Sequence, residues 1–396
     1  MLDSVKSRQT DSRSRRRMRC SLGVGTAIAL LAAQIGAGPA SAQAATEAPR
    51  FDKHGTNNAI TDVPGILVGQ VTRNDPPFLT GVTAVYAPDG AVGGAIVPGG
   101  WPGSINVEVL QPGKNDQESH VMFLTGGSYF GLGSFSGIMR WLEEHGVGMN
   151  VGTDPLHVDP LVSGAVVFDL LRGGDFKARP DADFGYQAME NAKSGPVEQG
   201  NVGAGTGTRS GGKSLPLKGG IGTASVELDN GIIVGAITAV NAVGTPVDFS
   251  DCSLRAVDLA IGDEFGAYKS PSREECDAAL EKAKIDAETG KPHANTTIGV
   301  LATNAKLDKE QVKQLAEAVS RGHGRAIDPI HLISDGDSYF TLATGEVTAD
   351  DAQIQQIYAA AENAFARAIV HATLKATSVG EFVSYCDTFP SACGAQ

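Results

Sequence analysis

Short apolar runs alternate with glycine turns along most of the chain, a pattern typical of a layered protein that mixes strands and helices. Nine runs have the length and apolar content of strands: 65–71, 81–86, 92–98, 107–110, 222–228, 231–240, 296–302, 330–333 and 339–344. The Asp229-Asn230 dipeptide before Gly231 favours a β-hairpin between the fifth and sixth runs.

Six segments are predicted to be helices: 134–144, 160–171, 181–192, 271–286, 307–321 and 349–376. In the fourth helix, Ser270 is expected to cap the N-terminus and Pro271 to take the first helical position. No internal repeat or low-complexity linker interrupts the pattern. The part of the chain after the N-terminal segment is therefore predicted to be one mixed α/β domain.

The N-terminus has the three parts of a secretory signal. A basic region at 13–19 precedes an apolar run at 22–37, and Ala40-Ser41-Ala42 matches the small-x-small cleavage pattern. We expect residues 1–42 to be removed and the mature protein, 43–396, to be periplasmic or secreted. Three consecutive arginines leave the twin-arginine route open beside the general secretory route. An uncleaved membrane anchor is a further alternative, although the apolar run is short.

Composition and charge narrow the function. Hydrophobic residues make up 41% of the chain and charged residues 19%, as in ordinary globular proteins. The formal net charge is −13, and removing residues 1–42, which carry a net +5, leaves −18. An acidic surface repels nucleic acid and anionic membranes, so neither is expected as a partner of the mature protein.

Four cysteines remain after the signal, and an even count in an oxidising compartment permits two disulfides. Of the three possible pairings we favour Cys252–Cys276 with Cys386–Cys393, because both close short loops. Four free thiols are the alternative. None of the cysteines has CxxC or zinc-type spacing, and the histidines form no evident metal motif, so no metal or cofactor is expected.

Three local motifs imitate known sites. Residues 207–214 match the P-loop pattern, but no buried strand precedes them and Pro216 disfavours the helix that must follow. Asp335, Asp337 and Glu346 imitate a calcium loop, yet Phe340 replaces the glycine that such a loop requires. Asn295-Thr296-Thr297 fits a glycosylation sequon, but its position indicates a different role.

The Asn295–Thr296 bond joins a polar loop to a strand of buried type. A hydroxyl at that point can attack the preceding carbonyl, and hydrolysis of the resulting ester would leave Thr296 as a new N-terminus. Its α-amine, with an ordinary pKa of about 7.7–8.0, is a suitable base for its own hydroxyl. Asn295 suits the scissile position because asparagine tolerates strained backbone angles. From spacing alone, Asn-Thr before a strand is more often a simple turn.

Six stretches, taken together and in order, carry a resemblance to a known family: 61–69, 124–132, 200–207, 218–222, 239–244 and 295–297. From about residue 57 to 386 the chain resembles the self-cleaving DmpA-type family of L-aminopeptidase/D-esterases, β-peptidyl aminopeptidases and 6-aminohexanoate-oligomer hydrolases. In having a threonine at position 296, the chain is similar to the 6-aminohexanoate-oligomer hydrolase branch. The resemblance implies a four-layer αββα sandwich of the DmpA/ornithine-acetyltransferase type, similar to N-terminal-nucleophile hydrolases. It also implies fragments 43–295 and 296–396 and a homo-oligomer, a tetramer or larger.

The resemblance also implies roles for individual residues. Thr296 matches the nucleophile, and the Asn241 side-chain NH₂ matches a donor to the oxyanion. Lys218 resembles an active-site lysine that holds the threonine amine neutral or supports the oxyanion. The alternatives are a β-turn asparagine at 241 and an ordinary solvated lysine at 218.

Two acids and one aromatic residue complete the set of candidates. Asp335 and Asp337 match paired acids that would orient the threonine ammonium group and balance Lys218. Tyr129 corresponds to a residue near the substrate pocket. The alternatives are a solvated Asp-Gly-Asp turn and a core tyrosine.

The resulting hypothesis is an exported, aminopeptidase-like amide hydrolase that acts on a small peptide or amide with Thr296 as nucleophile. An endo-acting hydrolase of 6-aminohexanoate oligomers is the second hypothesis. An acyltransferase resembling ornithine acetyltransferases, and a non-catalytic binding protein that would stay uncut, are alternatives from other classes. The substrate, its stereochemistry and the choice between endo and exo cleavage stay open at the sequence level.

Overall fold

The computed structural model describes residues 50–115, 118–289 and 295–394, and the side chains of the helix that ends at Thr289 are described up to residue 284. The predicted signal peptide and its cleavage site therefore lie outside the described residues. In the described part, no helix is long and apolar enough to cross a membrane.

Thirteen strands are formed by the described residues: β1 Leu67–Arg73, β2 Thr80–Ile96, β3 Ser104–Ile105, β4 Ser119–Thr125, β5 Met149–Asn150, β6 Val158–Asp159, β7 Leu161–Val166, β8 Arg209–Ser210, β9 Leu217–Lys218, β10 Ile221–Glu227, β11 Ile233–Asn241, β12 Thr296–Lys306 and β13 Ser338–Thr348. The α-helices of this part are α1 Ser134–Glu144, α2 Ala182–Glu190, α3 Arg273–Thr289, α4 Lys309–Ala326, α5 Asp351–Lys375, α6 Tyr385–Thr388 and α7 Pro390–Cys393.

The long strand β2 belongs to two sheets. Its first half pairs antiparallel with β1 and β4, and β4 continues in parallel to β7. Its second half pairs antiparallel with β13, which runs parallel to β12, and antiparallel pairs then lead to β11 and β10. The chain therefore contains two stacked sheets that share one strand.

Three separate apolar cores show the layers. In β4, Val121 and Phe123 pack against α1 and α2, whereas Met122 and Leu124 face the space between the sheets. The second sheet alternates in the same way, with Val300 between the sheets and Leu301 against α4 and α5. Because side chains of a strand alternate between faces, these cores define a helix–sheet–sheet–helix sandwich. The predicted αββα fold is confirmed.

Polar residues at their N-termini fix where several helices begin. Asp308 and Asp350 form capping boxes with Gln311 and Gln353, at the starts of α4 and α5. Asp181 accepts hydrogen bonds from two backbone N–H groups of the first turn of α2. The predicted cap at Ser270 is wrong by two residues: α3 begins at Arg273, and Ser272 accepts the N–H of Glu275.

Three predicted elements are wrong. Residues 160–171 contain strand β7 instead of a helix, because this apolar run lies in the interior of a sheet and is buried on both faces. The predicted strand at 107–110 is a 3₁₀ turn, Glu108–Leu110. Residues 330–333 form a turn that approaches β13, and they pair with no strand. The predicted runs 81–86 and 92–98 are the two halves of β2.

Both predicted disulfides are present, Cys252–Cys276 and Cys386–Cys393, so the alternative of four free thiols is wrong. The hairpin predicted at Asp229-Asn230 is also present and joins β10 to β11. Residues 207–214 contain strand β8 and a tight turn. No helix directly follows them, whereas a P-loop requires one.

Candidate active site

The central feature of the site is the junction between residue 295 and strand β12. Thr296 is the first residue of β12, and its cross-strand partner on β11 is Asn241. Directly opposed residues of an antiparallel pair project from the same face of the sheet. The Thr296 hydroxyl donates a hydrogen bond to the carbonyl oxygen of Asn295. The hydroxyl therefore lies beside the peptide group that the sequence predicted to be cleaved.

Asn295, which the sequence predicts to precede the cleaved bond, is buried and held at three atoms. The Asn295 side-chain oxygen Oδ1 accepts from Nη2 of Arg172 at 3.2 Å, and Nδ2 donates to the carbonyl of Ala242 at 2.9 Å. The backbone N–H of Gly336 donates to the Asn295 carbonyl oxygen at 3.0 Å. A fixed N–H donor on a carbonyl oxygen stabilises negative charge that develops there during nucleophilic attack.

The turn that supplies this donor is clamped by the segment 99–101. The N–H of Gly99 donates to the carbonyl of Asp337 at 3.2 Å, and the N–H of Trp101 donates to the carbonyl of Asp335 at 2.8 Å. A Cβ atom on Gly336 would lie 2.5 Å from the carbonyl oxygen of Trp101 and 2.8 Å from the Thr296 hydroxyl. Only glycine therefore fits between the clamp and the hydroxyl.

The side-chain orientation of Asn241 is fixed by its surroundings. Its Oδ1 accepts from Nη1 of Arg172 and from the backbone N–H of Arg209 at 3.1 Å. Both partners are donors only, so they determine which end of the amide is the oxygen. The NH₂ group is left with one long contact, 3.4 Å to the carbonyl of Phe168, and it can donate to a further acceptor.

Arg172, which the sequence did not identify, bridges the two asparagines. Its guanidinium contacts Asn241 and Asn295, and Nη1 also lies 3.4 Å from the carbonyl of Gly207. Burial and, to a smaller extent, the charge of Arg209 lower the pKa of Arg172 to about 9, although Asp169 opposes the shift. Even so, the guanidinium stays charged at neutral pH.

Lys218 is buried, so the alternative of a solvated lysine is wrong. Its Nζ donates to the carbonyls of Gly205 at 3.0 Å and Gly219 at 2.6 Å. Burial, followed by the charge of Arg172, lowers the pKa of Lys218 to about 7, although Asp169 opposes the shift. The amine therefore changes charge near neutral pH. Lys218 makes its hydrogen bonds to these carbonyls, and it interacts with the site through the charges of Arg172 and Asp169.

The two acids of the 335–337 turn are both buried, so the alternative of a solvated turn is wrong. Asp337 accepts the N–H of Thr297 at 2.7 Å and Nδ1 of His331 at 2.8 Å. Burial raises the pKa of Asp337, but the hydrogen bond from His331 and the neighbouring histidine charges outweigh it and hold the pKa below its usual value. Asp337 thus fixes the residue that follows the candidate nucleophile.

Asp335 is in a different state. Its Oδ1 accepts the N–H of Val243 at 3.1 Å, and among the described residues its Oδ2 has no hydrogen-bond partner. Burial and the charge of Asp337 raise the pKa of Asp335 to about 7. A buried carboxyl oxygen without a partner is costly, and a cation placed beside it would remove that cost.

A group of aromatic and imidazole side chains lies behind Asp337. His323 contacts the hydroxyl of Tyr339 through Nδ1, and the same nitrogen lies 3.9 Å from Oδ2 of Asp337. Burial lowers the pKa of His323 to about 4. Candidate ligand atoms of His323, His331 and Asp337 lie within 4.8 Å of one another, so these residues could hold a metal ion. His331 already bonds to Asp337, and His323 bonds to Tyr339, which is sufficient reason for their proximity.

Tyr129 lies at the rim of the site and is not a core residue, since 52% of its surface is exposed. Its hydroxyl donates to the carbonyl of Pro102 at 3.0 Å, next to the segment that clamps Gly336. The predicted residues thus form three groups. Thr296, Asn241 and the two acids meet at one end of β11, β12 and β13, Lys218 lies near Arg172, and Tyr129 marks the outside.

Comparisons with known proteins identify the family and the fold of the chain. The model of peptidase family S58 matches residues 58–384. An uncharacterized aminopeptidase of Mycobacterium leprae is 40% identical over 365 residues, covering 85% of this chain and 96% of the relative. A 6-aminohexanoate-oligomer endohydrolase of Paenarthrobacter ureafaciens is 30% identical over 293 residues, covering 72% of this chain and 75% of the relative.

Two solved structures show the same fold at lower identity. A β-aminopeptidase from a Burkholderia species superimposes with a TM-score of 0.61 at 23% identity, over 87% of this chain and 97% of that one. The L-aminopeptidase D-Ala-esterase/amidase of Ochrobactrum anthropi, described as a variant of the Ntn-hydrolase fold, gives 0.61 at 22% identity, over 86% and 94%.

Proposed function

The chain belongs to peptidase family S58. From this premise we propose that it is an amide hydrolase of the N-terminal-nucleophile type, and that its nucleophile, Thr296, is released by self-cleavage of the Asn295–Thr296 bond. We further propose that the protein is exported and that its activity is that of an aminopeptidase on small peptides or amides. The observation that carries the proposal is the contact of the Thr296 hydroxyl with a carbonyl group that Gly336 also holds.

The self-cleavage proceeds in two steps, an N-to-O acyl shift and the hydrolysis of the resulting ester. The Thr296 oxygen attacks the Asn295 carbonyl carbon, and the Gly336 N–H stabilises the oxyanion. The hydroxyl proton passes to the Thr296 nitrogen, the C–N bond breaks, and an ester joins the two fragments. Water then hydrolyses the ester, leaving a carboxylate on Asn295 and a free hydroxyl and amine on Thr296.

A competing route would be attack by the Asn295 side-chain nitrogen on its own carbonyl, which also breaks the bond. The contacts of that side chain disfavour it, because Nδ2 is turned to the Ala242 carbonyl and Oδ1 to Arg172. The two routes give different products. Threonine attack leaves a C-terminal carboxylate on the first fragment, whereas side-chain attack leaves a cyclic imide that is one water lighter.

Substrate turnover reuses the same atoms. The free α-amine of Thr296 takes the proton from its own hydroxyl as the oxygen attacks the substrate carbonyl. The Asn241 NH₂, whose orientation Arg172 and Arg209 fix, donates to the oxyanion. Water then releases the acyl group. Asp337 is a positioning residue, because it holds the N–H of Thr297 and so the direction of the preceding residue.

Asp335 and Lys218 set the charge around the new amine. In the uncut chain the nitrogen of Thr296 is a neutral amide, and Oδ2 of Asp335 has no partner among the described residues. Cleavage creates an ammonium group, and this oxygen can accept a hydrogen bond from it. Lys218, with a pKa of about 7, adds positive charge below neutral pH and disfavours protonation of the amine. Tyr129, at the rim, would contact the substrate.

The experiment that tests the proposal is the intact mass of the purified protein under denaturing and reducing conditions, with N-terminal sequencing of the smaller fragment. We expect a fragment that begins at Thr296, and release of p-nitroaniline from aminoacyl p-nitroanilides. A wild-type chain that stays whole and inactive for days would refute the proposal.

The second candidate is an endo-acting hydrolase of 6-aminohexanoate-type oligomers. It is supported by the relatives that bear this name, by the buried lysine and by the paired aspartates. N-terminally blocked oligomers separate the two candidates from each other. An aminopeptidase requires the free amine and leaves them intact, whereas an endo-hydrolase cuts them.

Export and assembly stay proposals as well. Removal of residues 1–42 predicts a mature N-terminus at Gln43, which N-terminal sequencing of the periplasmic or secreted fraction would detect. A tetramer or larger homo-oligomer predicts a mass by light scattering of at least four chains. A monomer that is fully active would contradict the assembly proposal and leave the catalytic one intact.

A further inference from the structure

We propose that the space occupied by the Asn295 side chain becomes the subsite for the side chain of the substrate's acyl residue, and that it selects a short carboxamide. The preferred substrates would then be amides whose acyl residue is asparagine. The inference rests on the proposed self-cleavage, since it is cleavage that frees this space.

The chemical reason is that both reactions pass through the same kind of ester. During self-cleavage the acyl group of Asn295 is esterified to the Thr296 oxygen. During turnover the acyl group of the substrate is esterified to that same oxygen, and water must reach the ester in both cases. The protein around the first ester is therefore already shaped for the second, and the residue that precedes the bond shows what fits there.

The contacts of Asn295 define the chemistry of this subsite. Arg172 donates to the carboxamide oxygen at 3.2 Å, and the Ala242 carbonyl accepts from the carboxamide nitrogen at 2.9 Å. The side chain is buried, so water does not replace either contact at low cost. The subsite thus presents one donor and one acceptor, which is the complement of a carboxamide.

Two near-isosteres of asparagine fail for different reasons. A leucine side chain has the same branching but can make neither the hydrogen bond from Nη2 of Arg172 nor the hydrogen bond to the Ala242 carbonyl. An aspartate side chain gains the charge of Arg172 but turns a carboxylate oxygen toward the Ala242 carbonyl. A site built around buried hydrogen bonds rejects analogues that lack them, so we expect a preference of roughly 10- to 100-fold over each isostere.

The subsite is also rigid. The other side of the Arg172 guanidinium contacts Oδ1 of Asn241 and the carbonyl of Gly207, and Ala242 directly follows Asn241 at the end of β11. Departure of the Asn295 side chain leaves these contacts in place. Arg172 is accordingly a specificity-determining residue as well as the residue that positions Asn241.

The test compares two rankings obtained from the same protein. The kcat/KM values of the fully processed enzyme are measured with the p-nitroanilides of asparagine, aspartate and leucine. The rates of self-cleavage are measured by intact mass for the wild type and for Asn295→Asp and Asn295→Leu. We expect asparagine to be first in both rankings, by about tenfold or more.

Variants of the arginine add a ratio that is independent of overall activity. Arg172→Lys keeps the charge but cannot contact both asparagines, and we expect its ratio of asparaginyl to leucyl turnover to fall at least fivefold. The matched control is Arg140→Lys on the surface, which should keep the wild-type ratio. Circular dichroism and thermal unfolding identify any variant that does not fold.

The outcomes distinguish a failure of the proposed function from a failure of the proposed subsite. A wild-type chain that is never cut overturns the proposed function itself. A chain that is cut and active, but that turns over leucyl and asparaginyl anilides equally, overturns the subsite alone. The same holds if the ratio is unchanged in a folded Arg172→Lys protein.

Discussion

The backbone N–H of Gly336 donates to the carbonyl oxygen of Asn295 at 3.0 Å, on the carbonyl group that the Thr296 hydroxyl also contacts. The two residues are 41 positions apart, and the parallel pairing of β12 with β13 brings them together. A nucleophile and an oxyanion donor at one peptide group are the minimum that an acyl shift requires.

Adding a methyl group at this glycine should slow self-cleavage. In Gly336→Ala the new Cβ would lie 2.5 Å from the Trp101 oxygen and 2.8 Å from the Thr296 hydroxyl, so the turn must move away. Because one displaced oxyanion donor costs about 10²-fold or more in rate, we expect processing to slow by that order. Time-resolved intact mass measures it. Gly133→Ala, where a Cβ would meet nothing closer than 3.8 Å, should process normally.

Replacing Asp335 should change the pH dependence of turnover. Without this carboxylate the Thr296 ammonium loses its counter-charge, so its pKa falls and the acidic limb of the kcat/KM profile moves down by about one pH unit. The maximum should also fall, about tenfold, because the amine is less well oriented. The comparison is Asp335→Asn with Asp328→Asn, an exposed acid. An unshifted acidic limb in a folded, processed Asp335→Asn protein would contradict this role.

Lys218 should make stability depend on pH. Its folded-state pKa of about 7 lies below the ordinary 10.5, so between these values the unfolded chain holds a proton that the folded chain lacks. The cost of the buried charge is complete below pH 7 and is relieved as the pH rises. Relative to Lys218→Met, the wild type should gain on the order of 1 kcal/mol per pH unit from pH 7 to 10.

Urea unfolding of the two proteins at several pH values measures this difference. Lys306→Met, at an exposed position, supplies the control and should differ from the wild type by a constant amount. A stability difference between Lys218→Met and the wild type that does not change with pH would show that the pKa of Lys218 is not strongly lowered in the folded protein.

The longer disulfide should contribute more to stability than the shorter one. Cys252–Cys276 spans 24 positions and Cys386–Cys393 spans 7. On loop-closure grounds the first contributes about 3–4 kcal/mol and the second about 2–3 kcal/mol. Removing each pair by double substitution to alanine, followed by urea unfolding, measures the two values. A larger loss for the short loop would mean that packing rather than loop closure decides the outcome.

Elements with a strong local signal were predictable from the sequence. Helix α1 occupies the predicted residues 134–144, because its apolar positions follow helical spacing and a glycine follows its end. The failure at 160–171 has a physical cause. A short apolar run buried on both faces carries no periodicity, so a central strand and a buried helix look alike until the rest of the sheet is known.

The site residues likewise divide into those with a local sequence signal and those that depend on the rest of the fold. Short motifs in the sequence predict Thr296, Asn241 and the two acids as site residues, and the structure brings these residues together. Arg172 was missed, because its side-chain partners are 69 and 123 positions away and no local pattern marks a buried arginine. The Gly336 donor was missed for a related reason: it is a backbone atom, and its function depends on two distant segments that approach it.

Two adjacent threonines allow the role of Thr296 as the nucleophile to be tested directly. Thr296→Val and Thr297→Val each replace a hydroxyl by a methyl group of similar size, and both side chains are buried. Among the described residues the Thr297 hydroxyl has no hydrogen-bond partner, so its loss should cost little. Intact mass and N-terminal sequencing should show Thr297→Val cut before Thr296, and Thr296→Val whole and inactive although folded. Cleavage and turnover at the wild-type rate in Thr296→Val would show that Thr296 is not the nucleophile.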